Sequence, residues 1–415
     1  MRELIAGDGG SVLVAGAMTP GAVALACEGL AAPTITPSGL PVFPIDALPE
    51  ETDAEVVRLV ACEEKTKSTV RSWSDARGIG VVVEPGHRFA RPDGVRVVAV
   101  SAASTGSGKT ALTRRVARIL LRSGVKVVVA RHPIANLLLW GRFDTHVVRS
   151  PSELTTPRPL EEREEIAPIV GAGVSVVTGL DPQHVAEVAA REVGEGGVVV
   201  WDGGGAATPW IETDLDLVAV DLLRLPPADA AERLRSADAI VLTKADSAPA
   251  DRTHNIESWV RDHNPDPTVI LADLSVGVSA GNVLADRRVV LVEDWPSLVL
   301  GGLAAGAGSV AARRFRCGVV DPRPFAVGAI AQLLQQHDHI RGVIPSLGRT
   351  EEELADLAAS VQQTPGDAVL WASNADPAGV IPAERRPIVR AFGELTEVAG
   401  PPLQDVLAPL LPGHA

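Results

Sequence analysis

The chain has little cysteine and no long apolar run, and each shortage excludes a class of protein. Its three cysteines, Cys27, Cys62 and Cys317, are too few and too widely spaced for a disulfide framework or a zinc site. No apolar run approaches the roughly 18 residues that a membrane-spanning helix needs. The N-terminus lacks a charged leader followed by an apolar segment. We therefore expect a cytoplasmic protein without a membrane partner.

Basic residues are also in the minority. The chain has 38 Lys and Arg against 52 Asp and Glu, which gives a net charge of −14. Binding to duplex nucleic acid needs a basic face, so we expect no nucleic-acid partner. A local basic pocket for a small phosphorylated ligand remains compatible with this charge. A length of 415 residues exceeds one hydrophobic core and predicts two or three domains.

The chain is rich in an alternation of short β-branched runs, Gly- or Pro-marked turns and Ala/Leu/Arg-rich stretches. This alternation predicts an α/β protein whose mostly parallel sheet is covered by helices. Weak strands are predicted at residues 11–15, 59–61 and 80–83. Seven stronger strands and four helices are predicted between residues 96 and 271, and further α/β elements follow. We place domain boundaries after residue 93, at the Arg-Pro-Asp-Gly turn, and after residue 285.

The segment VSAASTGSGKT, residues 100–110, lies between a predicted strand and a predicted helix. It matches the phosphate-loop signature G-x-x-x-x-G-K-[ST] except at its first position, which is Ala103. Backbone N–H groups of the loop would surround phosphate oxygens, Lys109 would bridge the β- and γ-phosphates, and the Thr110 hydroxyl would hold Mg²⁺. The central segment, residues 94–285, is therefore predicted to be a P-loop NTPase domain flanked by smaller α/β domains at 1–93 and 286–415. The predicted nucleotide-binding loop residues are Ser104, Thr105, Gly106, Ser107, Gly108, Lys109 and Thr110.

Two later segments complete a nucleotide site in the order that P-loop proteins use. In VVVWDGG the carboxylate of Asp202 ends a strand beside the loop, where it would position Mg²⁺ or water, and Gly203 and Gly204 would let the backbone approach the γ-phosphate. In TKAD, Lys244 would cover the face of a base and Asp246 would accept hydrogen bonds from guanine. We expect GTP or ATP with Mg²⁺, and this segment favours GTP.

Two other charged segments each allow two interpretations. Arg131 and His132 follow the second central strand, where they would neutralise a transferring phosphoryl group or form an ordinary surface pair before a proline turn. The acidic segment at residues 161–165, EEREE, is either a solvated helix face or a switch that supplies a carboxylate to Mg²⁺ or to the attacking water.

The third segment repeats the order of strand, glycine-rich loop and helix. Its loop would hold a second phosphorylated group, or its small residues would pack a helix closely against the sheet. Arg323, on a proline-stiffened loop, would bind a carboxylate or phosphate. The predicted substrate-binding residues of this segment are Gly301, Gly302, Gly306, Gly308 and Arg323.

From about residue 38 onward the chain resembles the predicted GTPase family related to cyclic 2,3-diphosphoglycerate synthetases. That family belongs to the P-loop class that includes dethiobiotin synthetase-like proteins and nickel-chaperone GTPases. The resemblance implies nucleotide-dependent closure of a phosphoanhydride within a diphosphorylated three-carbon acid. It is carried by the motifs GLPVFP (39–44), TGSGKT (105–110), RHP (131–133), LEEREE (160–165), WDGG (201–204), TKAD (243–246), VED (292–294), GAG (306–308) and DPRPFAVG (321–328).

The chain departs from these relatives at several polar positions. Gly205, Ala206 and Ala207 stand where relatives have two asparagines and an aspartate, and Leu300 stands where they have histidine. The phosphate and metal groups are kept while polar groups of the acceptor site are replaced. This pattern puts the synthetase reaction in question more than nucleotide binding.

These observations predict a Mg²⁺-dependent P-loop enzyme. It would hydrolyse GTP or ATP, or transfer the phosphoryl group to a small phosphorylated or carboxylate acceptor between the central and third domains. Two alternatives are a regulatory GTP-binding switch or assembly factor that acts on a protein partner, and a nucleotide-binding protein without catalysis. A homo-oligomer is compatible with all three.

Overall fold

The chain folds as an α/β protein with two β-sheets, as predicted. In the part of the chain that the structure describes, the N-terminal segment forms a six-stranded sheet and the remainder forms a thirteen-stranded sheet. The structure is a computed structural model, and it describes residues 1–7, 12, 16, 19–28, 30–60, 64–84, 88–131, 134–142, 144–155, 158–203, 209, 211–227 and 230–411.

The six strands of the N-terminal sheet are parallel, except for one short antiparallel edge strand. The predicted strand at 80–83 is confirmed, and the strand predicted at 59–61 lies three residues further towards the N-terminus. The strand predicted at 11–15 lies outside the described residues except for Val12, which is helical. The elements are β1 (Glu3–Gly7), β2 (Ala22–Cys27), β3 (Thr34–Ile35), β4 (Pro41–Pro44), β5 (Val56–Val60), β6 (Gly80–Glu84) and helix α1 (Glu64–Asp75).

The central segment supplies eight strands of the larger sheet, and all seven strands predicted there are present. The strands are β7 (Arg96–Ala102), β8 (Val127–Arg131), β9 (His146–Val148), β10 (Ser175–Thr178), β11 (Val198–Asp202), β12 (Leu215–Asp221), β13 (Ala239–Thr243) and β14 (Thr268–Val278). The helices are α2 (Lys109–Arg122), α3 (Leu160–Val170), α4 (Pro182–Val193), α5 (Ala230–Arg235) and α6 (Ala250–His263).

Strand β7 lies in the interior of this sheet, between β11 and β12, and is parallel to both. Its residues after Arg96 are all buried. The carboxyl ends of parallel strands meet at one edge of a sheet, which is where ligands of open α/β proteins bind. The ends of β7, β8, β11, β12 and β13 therefore bring the loop, Arg131, Asp202, Asp221 and Thr243 to the same edge.

The C-terminal segment continues the same sheet. Strand β14 pairs antiparallel with the twelve-residue strand β19, so the sheet crosses the predicted boundary at 285/286 without a break. The strands are β15 (Arg288–Glu293), β16 (Gly318–Val319), β17 (Ile344–Pro345), β18 (Ala368–Ala372) and β19 (Ile388–Ala399). The helices are α7 (Gly281–Leu284), α8 (Trp295–Val299), α9 (Ala307–Arg314), α10 (Gly328–Gln336), α11 (Glu351–Gln363) and α12 (Leu403–Val406).

Two large apolar clusters lie on this sheet. One joins the sheet to α2, α3 and α12 around Val100, Leu112 and Ile166, and the other fills the C-terminal segment around Leu291 and Trp371. The site edge lies between them. Among the described helices, none has both the length and the apolar character needed to cross a membrane.

Candidate active site

The phosphate loop leaves the end of β7 and enters α2 with the backbone conformation that its glycines allow. Gly106 and Gly108 have φ of 83° and 87°, a region that favours glycine. The Thr243 hydroxyl lies 2.8 Å from the carbonyl oxygen of Ser107 and donates a hydrogen bond to it. The threonine that stands first in the TKAD segment therefore anchors the loop from the neighbouring strand β13.

The structure explains why the loop begins with alanine. Ala103 does not have positive φ, so its side chain introduces no backbone strain. Its N–H donates to the carbonyl oxygen of Ala219 at 2.8 Å. The residue is 1% exposed, and its methyl group packs in an apolar cluster with Val218 and Leu222. Ala103 thus fills space that a glycine would leave open.

A chain of alternating charges runs from the loop to helix α3. The ammonium of Lys109 donates to one oxygen of the fully buried Asp202, and Arg131 donates to the other oxygen at 2.5 Å. Arg131 also pairs with Glu165. Because Arg131 is held between two carboxylates and is 2% exposed, it positions Asp202 and is not free to reach a phosphoryl group.

Burial shifts the ionisation of this chain of charges. Desolvation lowers the pKa of Lys109 to about 8, although the Asp202 carboxylate opposes the shift. Burial also acts to raise the pKa of Asp202, but Lys109 and Arg131 outweigh it and hold that pKa below its usual value. The carboxylate therefore stays ionised beside the loop, as a metal ligand must be.

A cavity of about 270 Å³ opens at this edge. One wall carries the phosphate loop with Lys109 and Thr110, and a second wall is acidic. We call the second wall the acidic wall; it consists of Glu161, Glu164, Glu165, Glu293 and Asp294. The interpretation of residues 161–165 as a solvated helix face is therefore wrong, because Glu162 and Glu164 are each 2% exposed and Glu164 faces the cavity.

Two carboxyl groups of the acidic wall, Glu164 and Asp294, influence each other's ionisation, and we call them the acid pair. The Ser346 hydroxyl donates to Glu164 at 2.6 Å, and the Ser297 N–H donates to Asp294 at 2.9 Å. Burial raises the pKa of both groups, and the Asp294 carboxylate raises that of Glu164 further.

Helix α3 reaches the cavity because both flanking segments hold it. The Leu160 N–H donates to the carbonyl oxygen of Gly348 at 2.8 Å, which ties the start of the helix to the C-terminal segment. On its other side, the Thr178 hydroxyl at the end of β10 donates to Glu162 at 3.0 Å. These contacts fix the direction of the carboxylates at 161, 164 and 165.

The glycine-rich loop of the C-terminal segment does not present free donors to a phosphate. The buried carboxylate of Glu293 accepts from the N–H groups of Gly306 and Ser309 at 2.7 and 2.5 Å, so a side chain of the protein occupies the start of α9. A methyl at Gly308 would lie 3.0 Å from the same carboxylate. Of the two interpretations of these glycines, close packing is the one that the structure supports.

The other predicted substrate residues lie away from the cavity. Arg323 donates to the carbonyl oxygen of Ile340 and pairs with Asp321 at 3.6 Å, so it braces its own loop. Gly301 packs against the phosphate loop, and Gly302 forms a turn with φ of 62°. Gly301, Gly302 and Arg323 do not line the cavity, so the acceptor site proposed below does not use them.

Only part of the TKAD segment lies at the cavity. Lys244 lines it and donates to the carbonyl oxygen of Gly106 and to Asp221, both at 2.8 Å. Asp246 is exposed, and one of its oxygens accepts from the N–H of Leu274 at 3.3 Å. Gly203 follows Asp202 and donates to the carbonyl oxygen of Val100 at 3.0 Å. His132, Gly204, Gly205, Ala206 and Ala207 lie outside the described residues.

Several site residues were not predicted from the sequence. Asp221 is the last residue of β12, just as Asp202 is the last residue of β11, and this similarity could have identified Asp221 as a site residue. No local pattern marks Arg224, Ser297 or Ser346. Their roles depend on contacts between residues far apart in the chain.

The chain is similar to several known proteins. The chain is 33% identical over 322 residues to arginine synthetase ArcE of Thermococcus kodakarensis, a match that covers 75% of this chain and 70% of that protein. No protein-family model matches the chain. The ATP complex of LpxK from Aquifex aeolicus superposes with a TM-score of 0.46 at 14% identity, covering 84% of this chain and 96% of that one. A ParA family ATPase from Chlorobium tepidum gives 0.26 at 12% identity, covering 43% and 84%.

Proposed function

Because the chain belongs to the family of arginine synthetase ArcE, we propose that it is a synthetase that activates a small nitrogen-containing acid. It is an enzyme of the P-loop class that depends on a nucleoside triphosphate. The observation that carries the proposal is the cavity itself, in which a phosphate loop faces the acidic wall. A synthetase needs both an activating phosphoryl donor and an acceptor site within reach of it.

The nucleotide site in this proposal consists of the phosphate loop and Asp202. Loop N–H groups and Lys109 bind the phosphates. The described residues contain no cluster of three or more His, Cys, Asp or Glu side chains placed to hold a metal. Thr110 lines the cavity and would supply a hydroxyl oxygen to Mg²⁺ beside phosphate oxygens, whereas Asp202, whose two oxygens accept from Lys109 and Arg131, would act through a metal-bound water. Bound Mg²⁺ would neutralise charge on the transferring phosphoryl group.

The acidic wall selects the acceptor. Carboxylates that line a buried wall favour a cationic or N–H-rich group and repel a doubly phosphorylated acid. We therefore favour an acceptor that leads to a guanidinium-type product over the diphosphorylated three-carbon acid that the family resemblance implies. The name of the relative agrees, because arginine carries a guanidinium.

The chemistry that fits this cavity has two steps. A ureido or amide oxygen of the acceptor attacks the γ-phosphorus, and the bond to the nucleoside diphosphate breaks. A nitrogen nucleophile then attacks the activated carbon, and inorganic phosphate leaves with the bonding electrons. The proton that the nitrogen loses passes to Glu164 of the acid pair, because the raised pKa of this buried carboxyl group makes its carboxylate a stronger base than that of an ordinary glutamate.

The choice between GTP and ATP depends on Asp246 in this proposal. A carboxylate there would pair with N–H groups that guanine has and adenine lacks. Thermal shift with GTP, ATP and their non-hydrolysable analogues measures the preference, since a ligand that binds only the folded state raises stability. We expect Asp246→Asn to remove a preference for GTP. An unchanged preference would exclude Asp246 from the site.

Phosphorus NMR tests the proposed reaction. The protein is incubated with Mg²⁺, GTP or ATP, ammonium and an amino acid that carries a ureido or amide group. We expect nucleoside diphosphate and phosphate to form only when acceptor and ammonium are both present. Consumption of nucleotide with a diphosphorylated acid instead would refute the acceptor class. Slow turnover that only a second protein stimulates would favour the GTP-binding switch.

A further inference from the structure

The carboxylate of Asp221 holds two cations at the edge of the phosphate loop. Its side chain is 1% exposed at the end of β12. Lys244 donates to it at 2.8 Å, and the Nε of Arg224 lies 3.3 Å from the same oxygen. Neither the nucleotide site nor the acceptor site described above needs Arg224, so its position calls for a separate explanation.

Each of the two cations also binds a backbone carbonyl of the phosphate loop. Lys244 donates to Gly106 and Arg224 donates to Thr105, so two successive carbonyl groups point outward to cations. In a trans peptide the C=O and the next N–H point in opposite directions. Turning the Thr105 carbonyl towards Arg224 therefore turns the N–H of Gly106 away from it, towards the side where phosphate binds.

The third contact of Arg224 lies in the C-terminal segment. Its guanidinium donates to the carbonyl oxygen of Gly301, in the segment that follows α8. The approach there is close, because a methyl at Gly301 would lie 2.8 Å from the Thr105 carbonyl oxygen. A methyl at Gly106 would lie 3.0 Å from Leu303. The loop and residues 297–303 therefore pack directly against each other.

We propose that Arg224 is a positioning residue that makes nucleotide binding depend on docking of residues 297–303 against the phosphate loop. The planar guanidinium donates to the carbonyl oxygens of Thr105 and Gly301 and forms an ion pair with Asp221, so it joins three separate parts of the chain. A lysine ammonium is more compact and lacks this fork of donors, so it cannot hold all three in the same arrangement. Since coupling between sites is reciprocal, bound nucleotide stabilises the docked C-terminal segment to the same extent.

The first test compares Arg224→Ala and Arg224→Lys with Arg252→Ala. Arg252 is the matched control because it donates to the nearby carbonyl oxygen of Leu223 at 2.7 Å without a recorded contact to the loop. Equilibrium titration with fluorescent GTP and ATP analogues and Mg²⁺ gives the affinity without any turnover. We expect Arg224→Ala to weaken binding by about tenfold or more, and Arg224→Lys to recover part of it. Binding by Arg224→Ala within about twofold of the control would overturn the proposal.

The second test perturbs the other side of the contact and covers the case in which Arg224→Ala does not fold. Gly301→Ala places a methyl against the loop carbonyl, whereas the control Gly318→Ala, in the same segment, has 3.7 Å to its nearest neighbour. We expect Gly301→Ala to weaken nucleotide binding by a factor similar to that of Arg224→Ala. Because the methyl would also lie 2.5 Å from the carbonyl oxygen of Ser297, the thermal midpoint of Gly301→Ala without nucleotide should fall below that of Gly318→Ala, and saturating nucleotide should raise it by less than it raises the control. Equal nucleotide affinity in the two glycine variants would show that docking and binding are independent.

Discussion

The two walls of the cavity differ in charge and in how the chain builds them. The phosphate wall comes mainly from one segment, in which β7, the loop and α2 are consecutive. The acidic wall is assembled from α3, the end of β15 and the start of α8, with Ser346 behind it. The loop that P-loop proteins share is therefore encoded locally, while the wall that we propose binds the acceptor is built from residues more than a hundred positions apart.

Among the changes to the two walls, loss of Lys109 from the phosphate wall should lower activity most. We expect Lys109→Ala to lower kcat/KM for nucleotide by about 100- to 1000-fold, because the loop loses its only side-chain cation aimed at the transferring phosphoryl group in the proposed mechanism. Lys126→Ala, at an exposed position, is the control and should retain full activity. Steady-state phosphate release measures both. Equal activity of the two variants would remove Lys109 from the site.

A substitution in the acid pair should distinguish the function of the acidic wall from that of the phosphate wall. Glu164→Gln keeps the shape of the side chain but cannot accept the proton, so we expect product formation to fall about 100-fold or more. Nucleotide affinity should stay the same, because the phosphate wall is unchanged. Glu187→Gln, exposed on α4, is the control. If Glu164→Gln lost nucleotide binding and kept product formation, the assignment of the two walls would be wrong.

The acid pair should also make stability depend on pH. Burial and Asp294 raise the folded-state pKa of Glu164 above its unfolded value, so the folded chain retains the proton to higher pH. The stability that this group contributes is then greatest at low pH. It falls as the pH rises from the unfolded pKa of Glu164 to its folded pKa, by at most about 1.4 kcal/mol per pH unit.

Glu164→Gln has no ionisable group here, so its stability lacks this pH dependence. Its free energy of unfolding should therefore rise relative to that of the unaltered chain from about pH 5 to pH 7. Lys109, whose pKa is lowered to about 8, titrates above this pH range, so its ionisation does not contribute to the difference. Urea titrations at several pH values measure the difference. A constant difference across the range would show that Glu164 ionises normally.

Restoring the usual first glycine of the loop should have the smallest effect. Ala103→Gly removes a buried methyl and adds backbone freedom, which together should cost about 1–2 kcal/mol of stability. Nucleotide affinity should change little, since Ala103 has no positive φ to relieve. Denaturant unfolding and nucleotide titration provide the two values. A large gain in affinity would show that Ala103 is a defect of the loop.

The sequence predicted the part of the fold whose determinants are local. Buried apolar runs such as residues 198–201 identified the central strands, and the order of strand, glycine-rich loop and helix at residues 96–122 was predicted correctly. It did not predict β19, whose alternating residues form a strand by pairing with β18 and with β14, which lies more than a hundred positions earlier. Nor did it predict β1, a five-residue strand with little pattern of its own.

The acidic wall shows the same limit within the site. The segment EEREE was recognisable as acidic, but only packing against Gly348 and Ser346 determines that Glu164 faces inward. The glycines at 306 and 308 resembled a phosphate site because the sequence cannot show that Glu293 occupies it. Local patterns identify donors and acceptors, whereas their partners depend on tertiary contacts.

Oxygen-isotope transfer tests the central claim most directly, since that claim is activation of an acceptor oxygen by the nucleotide. The acceptor is labelled with ¹⁸O at its ureido or amide oxygen and incubated with protein, Mg²⁺, nucleotide and ammonium. We expect the label to appear in inorganic phosphate, where it shifts the phosphorus NMR signal, in step with the formation of product. Phosphate that forms without the label would show that water attacks the nucleotide, and it would contradict the proposed synthetase.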